Sequence, residues 1–313
     1  HGKVLGATLA WPGNYKLKVD AKNTSLSLIA GINEEESPYL LDGGQTFTTP
    51  ELCMTFSDEG KGGVSRALHR WARQYKLHNG SVPRDILLNS WEGVYFGITE
   101  DKMKEMMKDW AGIGGEMFVM DDGWFGDKYP RNDDHSSLGD WTVNKTKLPG
   151  GIGALVKEAT ADGLKFGIWI EPEMVNPKSQ LYEKHPDWAI ELPNRDTYYY
   201  RNQLVLDLSN PEVQDFVFGV IDKIMTENPD VAYMKWDCNS PITNIYSHYL
   251  GKKQGNLYID YVRGLYKVFQ RVSAKYPKLD MMLCSGGGGR CDYEALKYFT
   301  EFWCSDDTDP FER

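Results

Sequence analysis

The sequence predicts an α/β fold from about residue 84 onward, with a parallel sheet of the (β/α)8 TIM-barrel type. Apolar runs and helical patterns alternate along this part of the chain, which is the order of βαβ units. The runs are continuously apolar, as in parallel strands that are buried on both faces. Several runs end in acidic or basic residues, and the functional groups of such barrels lie at the C-terminal ends of their strands.

Six apolar runs are the predicted strands of this barrel. They are Ile86–Trp91, Met117–Asp122, Phe166–Glu171, Ala232–Asp237, Met281–Cys284 and Phe302–Ser305. A closed barrel of this type needs eight strands, so about six of the eight are present. The chain also begins without an initiator Met and ends shortly after the sixth run. We therefore expect a piece of a longer protein, in which the catalytic barrel, residues 84–313, is truncated at its C-terminus.

Helical signals lie between the predicted strands. Apolar residues at helical spacing around Met103, Met107 and Trp110 predict a helix that ends before Gly114. A second helix is predicted to begin at Pro211, with Asn210 as its N-cap. The stretch 174–208 is too long for a simple loop. We expect an excursion over the barrel mouth, with a hairpin formed by residues 188–192 and 198–206.

Residues 1–60 have a different pattern, typical of β-structure. Apolar and polar residues alternate over 15–19 and 25–29, and Gly, Pro and Asn clusters separate these stretches. This part is predicted to be the C-terminal part of a β-sandwich domain. Residues 61–83 are predicted to be a linker helix, since Val64, Leu68 and Trp71 fall on one helical face.

Composition excludes two classes of partner. A net charge of −10 and a pI of about 5.2 leave no basic surface for nucleic acid, and without a run of 18 apolar residues membrane insertion is not expected. The 10 Trp and 18 Tyr provide aromatic faces that suit sugar rings. Five cysteines without a CxxC pattern favour reduced thiols over zinc or disulfide frameworks. No metal or other cofactor is predicted, and a cytoplasmic or periplasmic location fits the sequence equally well.

Two groups of aspartates are candidates for catalysis. Lys235 and Asp237 are two residues apart on a strand and share a face, where the lysine favours the ionised carboxylate. This suits a nucleophile, or else a structural ion pair inside the barrel. Asp306, Asp307 and Asp309 crowd together after the last strand, which favours retention of a proton by one carboxyl. This suits a general acid, although the same residues also form turns.

Other residues at strand ends suit the binding of a sugar. Asp121 and Asp122 can either accept hydrogen bonds from neighbouring hydroxyls or cap the following helix. Trp124 suits a pocket wall, and Trp169 offers either a stacking face or core packing. The glycine run 286–289 permits either close approach of the backbone to a ligand or a tight turn at the barrel rim. It lacks the GK[ST] ending of a phosphate-binding P-loop.

Together these motifs resemble the glycoside hydrolase family 36 α-galactosidases. The matching stretches run in order from about residue 40 to the end of the chain. They are Asn89–Glu92, Asp121–Trp124, Trp169–Val175, Arg201 with Leu206–Pro211, Lys235–Asn239, Cys284–Arg290 and Ser305–Asp309. The ordered set is highly specific, although each motif alone is not. Members of the family have an N-terminal β-sandwich, a catalytic barrel and a C-terminal β-domain.

The resemblance implies a role for each matching residue. Asp237 matches the nucleophile and Asp306 the acid/base of a retaining enzyme, whose two carboxyl groups are expected roughly 5–5.5 Å apart. Asp121 and Asp122 match the residues that hold the 4- and 6-hydroxyls of galactose. The full set of implied substrate-binding residues is Trp91, Asp121, Asp122, Trp169, Arg201, Lys235, Cys284 and Gly286.

The implied function is retaining hydrolysis of terminal α-linked galactose from oligosaccharides, by a full-length protein that is a homo-oligomer. Within the same clan, α-N-acetylgalactosaminidase and raffinose-synthase-like transfer activities are alternatives. A metal-dependent barrel lyase or isomerase is an alternative of another class, with Asp121, Glu171 or Glu173, and Asp237 as magnesium ligands. A non-catalytic sugar-binding fragment is the third, because an open six-stranded sheet exposes its edges.

Overall fold

The computed structural model describes residues 2–35 and 37–312, so the predicted domain limits at His1 and Arg313 lie outside the described residues. The first part of the chain is β-structure, as predicted. Its strands are β1 (Val4–Leu9), β2 (Tyr15–Lys22), β3 (Ser25–Ile32) and β4 (Leu52–Ser57). β1 pairs with β4 and β2 with β3, both antiparallel, in two separate two-stranded sheets.

A β-sandwich is not evident among these described residues. The apolar side chains of Leu17, Val19, Leu26 and Ile29 on β2 and β3 are 42% to 67% exposed, so no second layer covers them here. The predicted sandwich therefore remains a prediction. The predicted linker helix is present as α1 (Gly60–Trp71), which continues into a π-helical turn at Ala72–Lys76. The division into domains at residues 60 and 84 is likewise still a prediction.

From residue 87 onward, strands and helices alternate. In chain order they are β5 (Leu87–Asn89), α2 (Trp91–Val94), α3 (Glu100–Gly112), β6 (Met117–Met120), α4 (Ile152–Ala161), β7 (Lys165–Ile170), β8 (Met174–Val175), α5 (Gln180–Lys184), β9 (Leu204–Val205), α6 (Pro211–Glu227), β10 (Val231–Trp236), α7 (Leu257–Lys275), β11 (Asp280–Leu283) and β12 (Glu301–Phe302). Short 3-10 turns lie at Pro186–Trp188, Gln254–Asn256 and Ala295–Lys297.

The described residues form one six-stranded parallel sheet in the order β12-β11-β10-β7-β6-β5. Each of its strands lies within a few residues of a predicted one. Neighbouring strands are consecutive along the chain apart from the excursion between β7 and β10, as in the βαβ order of a TIM-type barrel. The sheet is a curled part of such a barrel, so the α/β prediction is confirmed at this level.

The central strands are apolar because the sheet is covered on both sides. Phe118 on β6, Ile168 on β7 and Met234 on β10 are 0% exposed. Fully burying a side chain of this size stabilises the fold by about 1.5–3 kcal/mol. Where the apolar runs stop, the chain continues into polar residues at the C-terminal edge of the sheet, and this edge carries the predicted site.

Helix ends follow the predicted signals. α3 ends at Gly112 and is followed by Gly114 with φ +93°. α6 begins at Pro211, and the side chain of Asn210 accepts a hydrogen bond from the Glu212 main-chain N–H. Among the described residues, no helix is both long enough and apolar enough to cross a bilayer.

The excursion between β7 and α6 is present and contains its own short elements. β8 and β9 pair antiparallel, and the chain between them holds α5 and a 3-10 turn. Ala189 and Leu206 also form an antiparallel bridge, so part of the predicted hairpin exists. The hairpin is shorter than predicted, because most of residues 191–203 are irregular.

Candidate active site

A cavity of about 350 Å³ lies at the C-terminal edge of the sheet, in the lower part of the range of roughly 300–1,000 Å³ for small-molecule sites. Eight of the predicted site residues line it: Trp91, Asp121, Asp122, Trp169, Arg201, Lys235, Asp237 and Asp306. They lie in or just after five different strands, or in the excursion. The parallel order of the sheet is what brings residues so distant in sequence to one edge.

The other two predicted site residues lie beside this cavity. Cys284 follows β11 and is 1% exposed. Burial, and then the Asp237 carboxylate, raise the pKa of its thiol well above the usual range, so it is a neutral group. Gly286 lines a neighbouring cavity of about 630 Å³, which Arg201 and Asn239 also border.

Asp237 follows β10 and is held by three N–H donors. Its Oδ2 accepts hydrogen bonds from Trp169 Nε1 at 3.2 Å and Asn239 Nδ2 at 2.8 Å, and its Oδ1 accepts one from the Cys238 main-chain N–H at 2.9 Å. The residue is 6% exposed. Neutral N–H donors stabilise a carboxylate without neutralising it, and these three donors fix the orientation of the Asp237 side chain.

Trp169 both packs and binds. Its ring is 2% exposed and lies in an aromatic cluster with Phe125 and Trp141, while its indole N–H reaches Asp237. Trp124, which the sequence suggested as a pocket wall, is instead 0% exposed and donates a hydrogen bond to the Trp169 carbonyl at 3.0 Å. It supports the cavity from behind.

Lys235 forms its ion pair with Asp121. Its Nζ lies 2.9 Å from Asp121 Oδ2, and both side chains are under 10% exposed. Burial lowers the pKa of Lys235, but the carboxylates of Asp121 and Asp237 outweigh this effect and raise it above its usual value. Asp237 therefore helps to keep the lysine charged, but the direct partner of Lys235 is the Asp121 carboxylate at the end of β6.

Asp122 has a partner that the sequence did not reveal. Arg131 Nη2 lies 2.7 Å from Asp122 Oδ2, and Arg131 Nε donates to both carboxylate oxygens at 3.0 and 3.2 Å. Arg131 is 1% exposed and also donates to the Ser136 carbonyl and to Asn176 Oδ1. Burial raises the pKa of Asp122, and Arg131 opposes that shift. No periodic pattern marks Arg131, which lies in an irregular loop.

Asp306 lies in an exposed loop after β12, on the wall of the cavity. Asp307 and Asp309 are also exposed, and each accepts a main-chain N–H from two residues further on. These two aspartates therefore serve as turn residues, the alternative that the sequence left open. Of the three crowded aspartates, Asp306 is therefore the one whose carboxyl lines the cavity.

The glycine run forms a tight turn against the Asp306 loop. Ser285 N–H donates to the Gly287 carbonyl at 2.8 Å, and Gly286 and Gly287 have φ of +52° and +87°. A Cβ on Gly287 would lie 2.9 Å from Ser305 Cα and 3.3 Å from Asp306 N. Glycine is required at position 287 because any side chain would push the backbone that carries Asp306.

We expect Gly287→Ala to lower kcat/KM by about 10- to 100-fold, because a displacement of about 1 Å at a reacting group can cost that much. The matched control is Gly163→Ala, which has a similar φ of +77° but nothing within 4 Å of its Cβ. The control should lose stability, by about 1–2 kcal/mol, without losing activity. Equal activity of the two variants on an aryl α-galactoside would contradict the proposed support of the Asp306 loop.

The alternative of a magnesium site formed by Asp121, Glu171 or Glu173, and Asp237 is disfavoured by the hydrogen bonds and ion pairs that these carboxylates already make. Asp121 binds Lys235 and Asn89, and Glu173 accepts hydrogen bonds from Trp236 and Arg290. Within the described ranges, carboxylate and imidazole groups close enough to share a metal ion occur instead at Asp133, Asp134 and His135, on an exposed loop. The donor set of the cavity therefore differs from an open carboxylate triad.

Comparisons with known proteins show the family of this chain. The sequence model of the Melibiase family matches residues 46–313. The bifunctional α-galactosidase/sucrose kinase AgaSK of Mediterraneibacter gnavus is 42% identical over 315 residues, covering 100% of this chain and 32% of that protein. The α-galactosidase AgaA of Geobacillus stearothermophilus is 40% identical over 317 residues, covering 100% of this chain and 43% of that protein.

Solved structures have the same fold. The crystal structure of AgaA matches with a TM-score of 0.93 at 39% identity, covering 98% of this chain and 43% of that chain. The α-galactosidase from Lactobacillus brevis matches with a TM-score of 0.95 at 36% identity, covering 100% of this chain and 42% of that chain. AgaA has also been crystallised with stachyose and with raffinose, in variants whose substituted aspartates are 70 positions apart.

The chain thus spans about a third to under a half of the length of the relatives it matches. The similarity nevertheless covers all or nearly all of the chain, including every element of the parallel sheet. The chain therefore belongs to the Melibiase family of glycoside hydrolases.

Proposed function

We propose that the full-length protein is a retaining α-galactosidase, which hydrolyses terminal α-linked galactose from oligosaccharides by double displacement. The observation that carries this proposal is the pair Asp237 and Asp306 on one cavity, beside two carboxylates that are each held by a buried cation. The pair has the composition that glycoside hydrolysis requires, and the retaining stereochemistry is what the family resemblance implies.

The environments of the two aspartates support different roles. Asp237 is buried and oriented by three N–H donors, as suits a nucleophile that must remain ionised and aligned. Asp306 is exposed at the cavity wall, where it can exchange protons with water. In the first step Asp237 attacks the anomeric carbon, the glycosidic C–O bond breaks, and the leaving oxygen takes the Asp306 proton. In the second, Asp306 removes a proton from water, which attacks the same carbon and releases Asp237.

The remaining cavity residues supply binding. Ion-paired Asp121 and Asp122 are acceptors that suit the 4- and 6-hydroxyls of galactose, while Lys235 and Arg201 are donors. Trp91 and Trp169 provide aromatic walls that suit the apolar face of the sugar ring. Gly286 lines the neighbouring cavity, which shares Arg201 and Asn239 with the cavity that holds Asp237, and Cys284 contacts Asp237.

The architecture of the full-length protein is part of the same proposal. The TM-scores of 0.93 and 0.95 with longer α-galactosidases support a complete (β/α)8 barrel, with residues 1–60 belonging to an N-terminal β-sandwich. We further infer that the full-length protein is a homo-oligomer, as the family resemblance implies. Its proposed substrates are galactose-containing oligosaccharides of the raffinose and stachyose class, which AgaA binds in its crystal complexes.

The spacing of the catalytic pair adds support from a relative. Asp237 and Asp306 are 69 residues apart, against 70 for the aspartates substituted in the AgaA complexes with stachyose and raffinose. Substitution of a catalytic residue is a common way to trap an intact substrate in a crystal. The agreement favours the same two positions in this chain.

The test is hydrolysis of p-nitrophenyl α-galactoside by the full-length protein, with EDTA present and absent. We expect turnover that EDTA does not change and, by NMR at early times, release of galactose as its α-anomer. The β-anomer would refute retention. Turnover of the α-N-acetylgalactosaminide alone would favour that alternative, and loss of activity with EDTA would favour a metal-dependent enzyme. Binding of galactose without turnover would identify a sugar-binding protein.

A further inference from the structure

One buried carboxyl beside Asp237 takes no part in the steps above. Glu171 follows β7 and is 1% exposed. Its Oε1 accepts a hydrogen bond from Gln203 Nε2 at 3.0 Å and another from the Asn239 main-chain N–H. Burying a carboxyl group costs free energy unless the group is hydrogen-bonded or paired. A buried carboxyl such as Glu171 is therefore expected to have a structural or chemical role.

The Asn239 contact links Glu171 to the catalytic pair. Asn239 Nδ2 donates to Asp237 Oδ2 at 2.8 Å, and Asn239 Oδ1 accepts the Gly286 main-chain N–H at 3.1 Å. The Asn239 side chain is therefore a bridge from the nucleophile to the glycine turn that supports the Asp306 loop. Glu171 anchors the main chain of the same residue.

The charge of Glu171 decides how this anchor acts. Burial, and then the neighbouring Asp237 carboxylate, raise the pKa of Glu171 to about 8. The groups that face it are Asp237 and Cys238 beyond β10, and Asp122 and Arg131 from the loop after β6. Both of these hydrogen bonds reach Oε1, so a proton on Oε2 would leave them intact. The proximity of the two carboxyl groups therefore disfavours a negative charge on Glu171 while Asp237 is charged.

We propose, resting on the function proposed above, that Glu171 is a positioning residue, which as a neutral acid holds Asn239 and through it fixes the Asp237 carboxylate. Ionisation of Glu171 places a second negative charge against Asp237 in a buried setting. Two buried carboxylates repel each other, so alignment of the nucleophile is lost as the pH rises through the pKa of Glu171.

The experiment compares Glu171→Gln and Glu171→Ala in the full-length protein. Glutamine keeps the Oε1 acceptor and cannot ionise, so kcat on p-nitrophenyl α-galactoside at pH 6 should stay within about twofold of wild type. Alanine removes the anchor, so kcat should fall by about 10²-fold with little change in KM. Glu191→Gln is the control, since that carboxylate also accepts two hydrogen bonds, but from Tyr182 and Thr197, which do not line the cavity.

The pH profile separates positioning from simple structural support. It is measured on the pre-steady-state burst of p-nitrophenol in the Asp306→Ala background, where the acid/base cannot contribute. We expect the burst rate to decline above about pH 8 in the protein that retains Glu171, and to stay level when Glu171→Gln is added. Lys147, whose pKa is lowered to about 8 mainly by burial, is present in both proteins and cannot account for the difference.

Three results would overturn the inference. They are a large loss of kcat in Glu171→Gln at pH 6, wild-type kcat in Glu171→Ala, and identical pH profiles for the protein that retains Glu171 and its glutamine variant. Each of these results is compared with the activity of the wild-type protein, which must itself hydrolyse the galactoside. Failure of the wild type to hydrolyse the galactoside would instead refute the proposed function itself. If Glu171→Ala does not fold, the two glutamine measurements decide the question.

Discussion

Replacing Asp237 by alanine is expected to lower the rate of hydrolysis of p-nitrophenyl α-galactoside by roughly 10⁴-fold or more. Enzymes accelerate reactions by at least about 10⁶-fold, and without Asp237 the covalent route that supplies much of this acceleration is lost. Azide should partly restore turnover, because the small anion fits where the carboxylate was. It would attack the anomeric carbon from the face that Asp237 occupied. The product of this rescue should therefore be β-galactosyl azide, with inverted configuration, identified by NMR.

The same assay on Asp306→Ala distinguishes the two aspartates. There the galactosyl–Asp237 intermediate still forms, and azide attacks it from the opposite face to yield α-galactosyl azide. Asp307→Asn is the control, since Asp307 is an exposed turn residue next to Asp306, and it should keep wild-type activity. Exchanged azide products between the Asp237 and Asp306 variants would reverse the roles. Full activity of Asp237→Ala would exclude it as the nucleophile.

Much of the fold was predictable because its signals are local. Continuous apolar runs such as Ile168–Ile170 are typical of strands that are covered on both faces. The start of α6 is signalled by two adjacent residues, Asn210 as the N-cap and Pro211 as the first helical residue. The strand ends then identify one edge of the sheet, where six of the eight cavity-lining residues were proposed from their positions. Trp91 and Arg201 came instead from the family resemblance. The β-sandwich prediction depends on a second layer that the described residues do not include.

The unpredicted part of the site consists of partners distant in sequence. Lys235 shares a strand with Asp237, but its ion pair is with Asp121, 114 residues away in the chain. Gln203 reaches Glu171 from the irregular excursion. Periodicity places a side chain on a face, but it does not specify which loop closes over that face. These contacts follow from tertiary structure, so a single sequence contains no direct signal for them.

The ion pair between Arg131 and Asp122 joins residues only nine positions apart, and breaking it should have the largest effect on stability. We expect Arg131→Met to lower the free energy of unfolding by about 3–5 kcal/mol, because it leaves the Asp122 carboxylate buried without its cation. The pKa of Asp122, already raised by burial, should rise further once Arg131 no longer opposes that shift. A protonated Asp122 is a weaker acceptor for a sugar hydroxyl, so KM should also increase.

Urea denaturation measures this effect against a matched surface pair. Arg66 and Glu59 have the same 2.7 Å separation as Arg131 and Asp122, but their side chains are 58% and 69% exposed against 1% and 6%. Arg66→Met should therefore cost less than about 1 kcal/mol. Replacing both buried partners, as Arg131→Met with Asp122→Leu, should recover much of the stability lost in the single variant, because no charge is then left unpaired in the interior. Similar losses for Arg131→Met and Arg66→Met would mean that water reaches Asp122 in solution, and the buried pair would then contribute neither stability nor a fixed charge to the site.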